Sequence, residues 1–142
     1  MINEAHQATF IGLKNSAADA IAGEAGTEQA LAAIAQFTVL ILGMGDDGHT
    51  ASLFPGADAL ALGLDMDSGR TCIGVTPTEA PHQRISMTLP RLLDSQQIIL
   101  HISGSGKQQV LEQAQAGDDA AVLPIRAILH QQRAPLAIYW AR

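Results

Sequence analysis

Val39-Leu40-Ile41-Leu42-Gly43-Met44-Gly45-Asp46-Asp47-Gly48-His49-Thr50-Ala51-Ser52-Leu53-Phe54-Pro55 is the stretch on which the reading of this chain turns. Its opening residues form an unbroken apolar run closed by glycine, the pattern of a strand covered on both faces in a parallel sheet. Gly43, Gly45 and Gly48 then allow a sharp turn and let a ligand come close to backbone N–H groups. The turn delivers Asp47 and His49 at the carboxyl end of the strand, the edge at which open α/β sheets bind ligands. A carboxylate and an imidazole placed together there suit acid–base chemistry. The same Gly-Asp-Asp-Gly run also serves ordinary turns, and a histidine after a turn also caps or packs.

Working outward, glycine, proline and periodicity divide the remainder. Ser16-Ala17-Ala18-Asp19 has capping-box spacing and predicts a short helix interrupted at Gly23 to Gly26. A second, alanine-rich helix is expected from a Thr27 cap to Gln36. The apolar strand spans Phe37 to Leu42, and a loop rich in Gly, Asp and Ala comes after Pro55. Strands are predicted at Thr71 to Val75 and, from alternating polarity, at Arg84 to Thr88, with a loop at Pro77 to Gln83 between them. Leu89 to Asp94 reads as a short helix with Pro90 in its first turn. Gln97 to Ile102 reads as a second buried strand, running into Ser103-Gly104-Ser105-Gly106-Lys107. Helices at Lys107 to Gln115 and Pro124 to Gln132 and a strand at Pro135 to Trp140 complete the chain. Strands alternating with helices imply an α/β fold with an open, mostly parallel sheet. No repeat or linker divides the sequence, so residues 1–142 read as one domain.

Composition narrows the function classes. The chain has 142 residues, 47% of them hydrophobic, enough for its own core. No apolar run reaches the roughly 20 residues that span a bilayer, and Met1 opens no secretory leader. Cys72 is the single cysteine, so no internal disulfide forms, in keeping with a reducing cytoplasm. A formal charge of −6 argues against general nucleic-acid binding and means that an anionic substrate must be met by local cations. Only two lysines and six arginines can do so.

Ser103 to Gly106 can present N–H groups to a phosphate at the start of a helix, with Lys107 adding a point charge. A lysine there opposes the helix macrodipole unless an anion compensates. The P-loop spacing is absent. Arg84, opening a strand after a polar loop, is the next candidate, for a phosphate or a sugar hydroxyl; a surface ion pair is the alternative. Arg126 reads as surface or structural. His101 is expected in or near the core, and His6, His82 and His130 at surface or loop positions. None has ligand spacing with His49 or Cys72, so no metal site is expected, and no cofactor.

Gly43-Met44-Gly45-Asp46-Asp47-Gly48-His49-Thr50-Ala51-Ser52-Leu53-Phe54-Pro55-Gly56 closely resembles the signature of the 6-phosphogluconolactonases, which hydrolyse 6-phosphoglucono-δ-lactone in the oxidative pentose phosphate pathway. The related glucosamine-6-phosphate deaminases share a Gly-x-Gly-x-Asp-Gly-His core but usually continue differently, and Thr-Ala-Ser-Leu-Phe-Pro favours the lactonases. Arg84 to Pro90, Ile98 to Lys107 and Pro124 to Leu129 fit as well, so the resemblance runs from about Phe37 to the end. It implies a Rossmann-like sheet flanked by helices and His49 as the base that activates water. Asp47 would orient the imidazole, and N–H groups of the Gly43 to Gly48 turn would stabilise the oxyanion. Lys107 matches a Gly-x-x-Lys segment of the family and, with Arg84, would hold the 6-phosphate.

Full-length relatives begin with further βα units, including a Ser-Gly-Gly-Ser-Thr-Pro type loop and an Asp-Glu-Arg segment, neither of which occurs here. The chain is therefore expected to be the C-terminal portion of such a domain, with Met1 to Ala5 as the remnant of the Asp-Glu-Arg region's Ser-Asn-Glu tail. Missing strands would leave an edge or face uncovered, so a homodimer or a complementary N-terminal fragment is expected as partner. Two other outcomes stay open: a sugar-phosphate isomerase or deaminase, and a truncated, inactive domain that only binds sugar phosphate or assembles.

Overall fold

The structure, a computed structural model, describes residues 8–79 and 82–142; His6 and the Met1 to Ala5 segment lie outside them. A parallel three-stranded sheet is built from β1 (Leu40–Leu42), β4 (Ile98–Ser103) and β5 (Leu136–Ala141), in the order β1-β4-β5. Leu40 lies beside Ile98 and Ile98 beside Leu136, so residues of one parity share a face across all three strands. Leu40, Leu42, Ile98, Leu100 and Ile102 turn to the core, where Leu53, Phe54, Leu92, Leu111, Ile125 and Ile128 meet them.

The opposite face departs from expectation. Ile41 is 68% exposed, Val39 49% and Tyr139 58%. The apolar run at 39–42 does not signal burial on both faces here, because among the described residues no element covers the outer one. His101 is exposed for the same reason. Strand alternation sends Ile98, Leu100 and Ile102 inward and His101 outward, so it is not a core histidine.

The other two strands form their own antiparallel ribbon. β2 (Cys72–Val75) pairs with β3 (Arg84–Met87), with Cys72 opposite Met87 and Val75 opposite Arg84. All four residues of β2 are buried, because α1 (Ala20–Ala32) lies on it. That helix is continuous through Gly23 and Gly26, where the sequence predicts an interruption. Asp19, not Ser16 or Thr27, is its N-cap, its carboxylate accepting from Ala22 N–H at 2.8 Å. Thr27 is buried mid-helix, and its hydroxyl donates to the Leu13 carbonyl at 2.8 Å. Close packing outweighs the low helix propensity of glycine: a Cβ on Gly23 would lie 3.0 Å from the Asn15 side chain, and one on Gly74 3.0 Å from the backbone of Ile21.

Two glutamates on α1 close the free edge of β2. Glu28 accepts from the N–H groups of Thr71 and Cys72 at 2.8 and 2.9 Å, and Glu24 accepts from Gly74 N–H at 2.6 Å. Arg70 pairs with both carboxylates. Partial burial pushes the Glu28 carboxyl up, but the Thr71 hydroxyl, the two N–H groups and Arg70 together hold it below its ordinary value of 4.5. A carboxyl lowered in the folded state stabilises fully above that value and loses its contribution as pH falls through the folded value. Glu28→Gln is expected to cost about 1 kcal/mol at neutral pH. It should also flatten the fall in melting temperature below pH 4.5, read by thermal unfolding across pH. A mutant as acid-sensitive as the parent would refute this. Burial, with Glu28 and Glu24 adjoining, pushes the Cys72 thiol up to about 12, so this cysteine is an inert packing group.

The remaining helices are short apart from α4 (Ser105–Gln115). α2 (Leu60–Leu64) occupies the stretch after Pro55 that reads as loop in the sequence, with Leu60 buried, and α3 (Leu89–Leu93) begins as expected with Pro90 in its first turn. α5 (Arg126–Leu129) is one turn, shorter than the Pro124 to Gln132 expected. Arg126 explains that end of the chain: it donates to the carbonyls of Ala114, Gln113 and Asp119, closing the C-terminus of α4.

Candidate functional site

The glycine turn begins where β1 ends, at the carboxyl edge of the parallel sheet. Gly45 N–H donates to the His49 carbonyl at 2.9 Å and Gly48 N–H to the Gly45 carbonyl at 3.0 Å. The turn is therefore closed on itself, and these two N–H groups are already engaged; the oxyanion donors expected of the turn have to be sought among its other N–H groups. Gly48 has φ +75°, and a Cβ there would sit 2.6 Å from Leu123. Ile125 N–H donates to the Gly48 carbonyl at 2.9 Å, so the segment before α5 buttresses the turn from behind. The Thr50 hydroxyl donates to the Gly43 carbonyl at 2.8 Å, which ties the two limbs together.

Asp47 and His49 meet inside this frame. The Asp47 carboxylate lies 2.6 Å from His49 Nδ1 and also accepts from the His49 backbone N–H at 3.1 Å. Partial burial pushes the Asp47 carboxyl up, but the hydrogen bonds and charge of His49 outweigh it and hold it below its ordinary value. Asp47 is thus a carboxylate at neutral pH. With the Nδ1 proton directed at Asp47, the lone pair of Nε2 is free to take a proton. Gly45 makes the pair feasible, because a Cβ there would lie 2.2 Å from His49 Nδ1 and 2.6 Å from Asp47. Gly43, by contrast, has nothing within 4 Å of where a Cβ would be. Ala51 lies just beyond, in the left-handed region at φ 51°.

Phe54 brings a third charged group to the pair. Its ring centre lies 4.2 Å from that of His49, and the Arg84 guanidinium stands 5.1 Å from the same ring. Arg84, at the start of β3, is thereby placed beside a turn that lies well before it in the chain. Ser52 N–H donates to the Ser86 hydroxyl at 3.0 Å, which fixes the loop against the same strand. A cleft of about 350 Å³ opens here, lined by Asp47, Phe54, Pro55, Thr78 and Glu79.

Lys107 is not part of this cluster. It stands in the first turn of α4, whose N-cap Gly104 has φ 89°. Gly104 is held by β5: its N–H donates to the Ala141 carbonyl at 2.9 Å, and its carbonyl accepts from Trp140 Nε1 at 3.0 Å. The turn therefore ends a strand beside β1, but among the described residues no hydrogen bond or ion pair joins Lys107 to Asp47, His49 or Arg84. Phe54 is the site neighbour that sequence reasoning passes over, although it stands within the quoted signature. Among the described residues no cluster of three or more His, Cys, Asp or Glu could hold a metal ion, and no helix is long and apolar enough to cross a membrane.

Residues 2–140 match the family described as glucosamine-6-phosphate isomerases/6-phosphogluconolactonase. The chain is 46% identical over 136 residues to a 6-phosphogluconolactonase of Pseudomonas putida, covering 96% of this chain and 55% of that protein. It is 43% identical over 138 residues to one of Rhizobium meliloti, with 96% and 60% covered. The crystal structure of a 6-phosphogluconolactonase from Shewanella baltica superposes with a TM-score of 0.94 at 40% identity, over 99% of this chain and 60% of that one. A monomeric glucosamine-6-phosphate deaminase, at 21% identity and TM-score 0.68 over 89% of this chain and 54% of that one, shares the fold. The chain thus spans 55 to 60% of the length of the lactonases it matches.

Proposed function

Because this chain belongs to the glucosamine-6-phosphate isomerase/6-phosphogluconolactonase family, we propose that it hydrolyses 6-phosphoglucono-δ-lactone to 6-phosphogluconate in the oxidative pentose phosphate pathway. The observation that carries this reading is the 2.6 Å contact of Asp47 with His49 on a glycine turn at the carboxyl edge of the sheet. A water facing His49 Nε2 gives up its proton as its oxygen attacks the lactone carbonyl. The tetrahedral intermediate then collapses, the bond from the carbonyl carbon to the ring oxygen breaks, and the proton returns from Nε2 to that oxygen. Asp47 fixes the imidazole and balances its charge while the proton rests there. Gly45 and Gly48 shape the turn, and Gly43 leaves open space beside it for the sugar. Arg84 is the first group to meet the phosphate and Lys107, at the neighbouring strand end, the second.

The test is hydrolysis of freshly generated 6-phosphoglucono-δ-lactone by this chain, with the spontaneous rate subtracted and glucosamine 6-phosphate offered in parallel. A rate above background on the lactone alone is expected. Ammonia release from the amino sugar would move the assignment to a deaminase. No turnover of either, with 6-phosphogluconate still bound, would make the chain a sugar-phosphate-binding domain.

In this reading residues 1–142 act as one α/β domain, the C-terminal portion of the family fold, in the cytoplasm. Val39, Ile41 and Tyr139 on the bare outer face then dock a second copy or a complementary N-terminal fragment. Sedimentation should show concentration-dependent association that Ile41→Lys abolishes. A parent chain that stays monomeric at high concentration, and ignores an added N-terminal fragment, would refute the docking.

A further inference from the structure

Gly48 lies between Asp47 and His49, so the placement of its peptide governs how the two side chains meet. Two contacts from outside the turn hold it. Leu123 packs so closely on Gly48 that a Cβ there would lie 2.6 Å from its side chain, and Ile125 N–H donates to the Gly48 carbonyl at 2.9 Å. Both contacts come from residues 118–125, which form no helix or strand. Irregular segments are the more mobile part of a fold, so this one steadies the turn only as firmly as it is itself held.

Asp119 is where the segment is gathered. Its carboxylate accepts from Ala121 N–H at 2.8 Å, and its carbonyl accepts from the N–H groups of Val122 and Leu123 at 3.3 Å each. The same carbonyl accepts from Arg126 Nη1 at 3.0 Å. Arg126 Nε and Nη2 donate to the Ala114 and Gln113 carbonyls at 3.3 and 3.1 Å, in the last turn of α4. One planar, permanently charged fork therefore ties the segment to the helix. Its seat is tight, since a Cβ on Gly117 would lie 2.4 Å from Arg126 Nη2. Ile125 and Ile128, on either side of Arg126 in the chain, are fully buried and fix the backbone that carries it. Among the described residues Arg126 makes no ion pair and no hydrogen bond to Asp47, His49 or Arg84.

We infer that Arg126 is a positioning residue for the Asp47–His49 pair, acting through Asp119, Leu123 and Ile125 on the Gly48 peptide. It takes no part in the proton transfers. The helix it grips has 11 residues and a length of about 16 Å, with Lys107 in its first turn. In the lactonase reading Lys107 meets the phosphate, so substrate and base are referred to the same rigid rod from its two ends. The inference rests on that reading for the reaction it serves, and on the hydrogen bonds alone for the geometry it maintains.

The experiment compares three variants of the full chain, each assayed well below its melting temperature. Arg126→Gln is expected to lower kcat for lactone hydrolysis about ten- to a hundred-fold with KM unchanged, because a displaced base costs rate and not binding. Gly117→Ala pushes the guanidinium from its seat without removing it, and should give a smaller loss of the same kind. His130→Ala is the control for stability. His130 Nε2 meets the Ala114 carbonyl at 3.3 Å but makes no hydrogen bond to residues 118–125, so this variant should melt lower and keep its kcat. A second readout needs no turnover: the ring-nitrogen NMR shifts of His49, assigned by their absence from His49→Ala. They should move toward those of an unpaired imidazole in Arg126→Gln and Gly117→Ala, and stay in place in His130→Ala. Parental kcat in Arg126→Gln, a rise in KM in place of the fall in kcat, an equal fall in His130→Ala, or ring shifts that do not move would each overturn the inference. If Arg126→Gln does not fold, Gly117→Ala is judged by the same outcomes. A parent chain without lactone hydrolysis would count against the lactonase reading alone, and the ring shifts would then decide the role of Arg126.

Discussion

His49→Ala is expected to lower kcat/KM for lactone hydrolysis by roughly a hundred- to ten-thousand-fold, the range that a positioned general base contributes. The substitution removes the only imidazole held by a carboxylate among the described residues and leaves the turn otherwise intact. The reason is that the turn is fastened by backbone contacts, Gly45 N–H to the carbonyl of residue 49 and Gly48 N–H to the Gly45 carbonyl, which alanine preserves. Binding of 6-phosphogluconate should therefore persist, and the loss should fall on kcat. A variant that retains parental turnover would mean that another group takes the proton from water and that the mechanism above is wrong.

Gly45→Ala is expected to approach the same loss without touching a titratable group. The added methyl would overlap His49 Nδ1 at 2.2 Å and the Asp47 carboxylate at 2.6 Å, so one or both side chains must leave their present positions. Displacement of a reacting group by about 1 Å costs on the order of a hundred-fold in rate. Gly43→Ala is the matched comparison, since a Cβ there meets nothing within 4 Å, and it should retain far more activity. Kinetics of the two variants side by side decide the matter. Equal losses would show that flexibility of the turn, and not room for the Asp47–His49 pair, is what the glycines provide.

The parts of this site that can be read from sequence are those set by local spacing. Asp47 and His49 are two residues apart on one turn, and glycines at 45 and 48 leave the pair little choice but to meet. The strands are likewise legible, because apolar runs bounded by glycine need no partner to be recognised. The features that escape such a reading depend on distant residues. The Val39 to Leu42 run has the composition of a strand covered on both sides, yet whether a second layer exists is decided elsewhere in the chain. The expectation of a core His101 fails with it. The continuous α1 is hidden because its two glycines weaken the local signal, and only the close approach of Asn15 and the β2–β3 ribbon explains them. Arg84 stands out in the sequence, but the Phe54 ring that joins it to His49 is a product of packing that no spacing encodes.

The chain contains a single tryptophan, and its indole N–H is bonded to the carbonyl of Gly104. This makes the protein's ultraviolet emission a local instrument. The fluorophore is coupled to the turn before α4 and makes no hydrogen bond to the Asp47–His49 turn. A ligand that settles at Gly104 to Lys107 is expected to change the emission, whereas one held at Arg84 and the Asp47–His49 turn alone leaves it as it was. Steady-state fluorescence, on unlabelled protein, thus separates occupancy of the Lys107 turn from occupancy of the Arg84 side by presence or absence of signal.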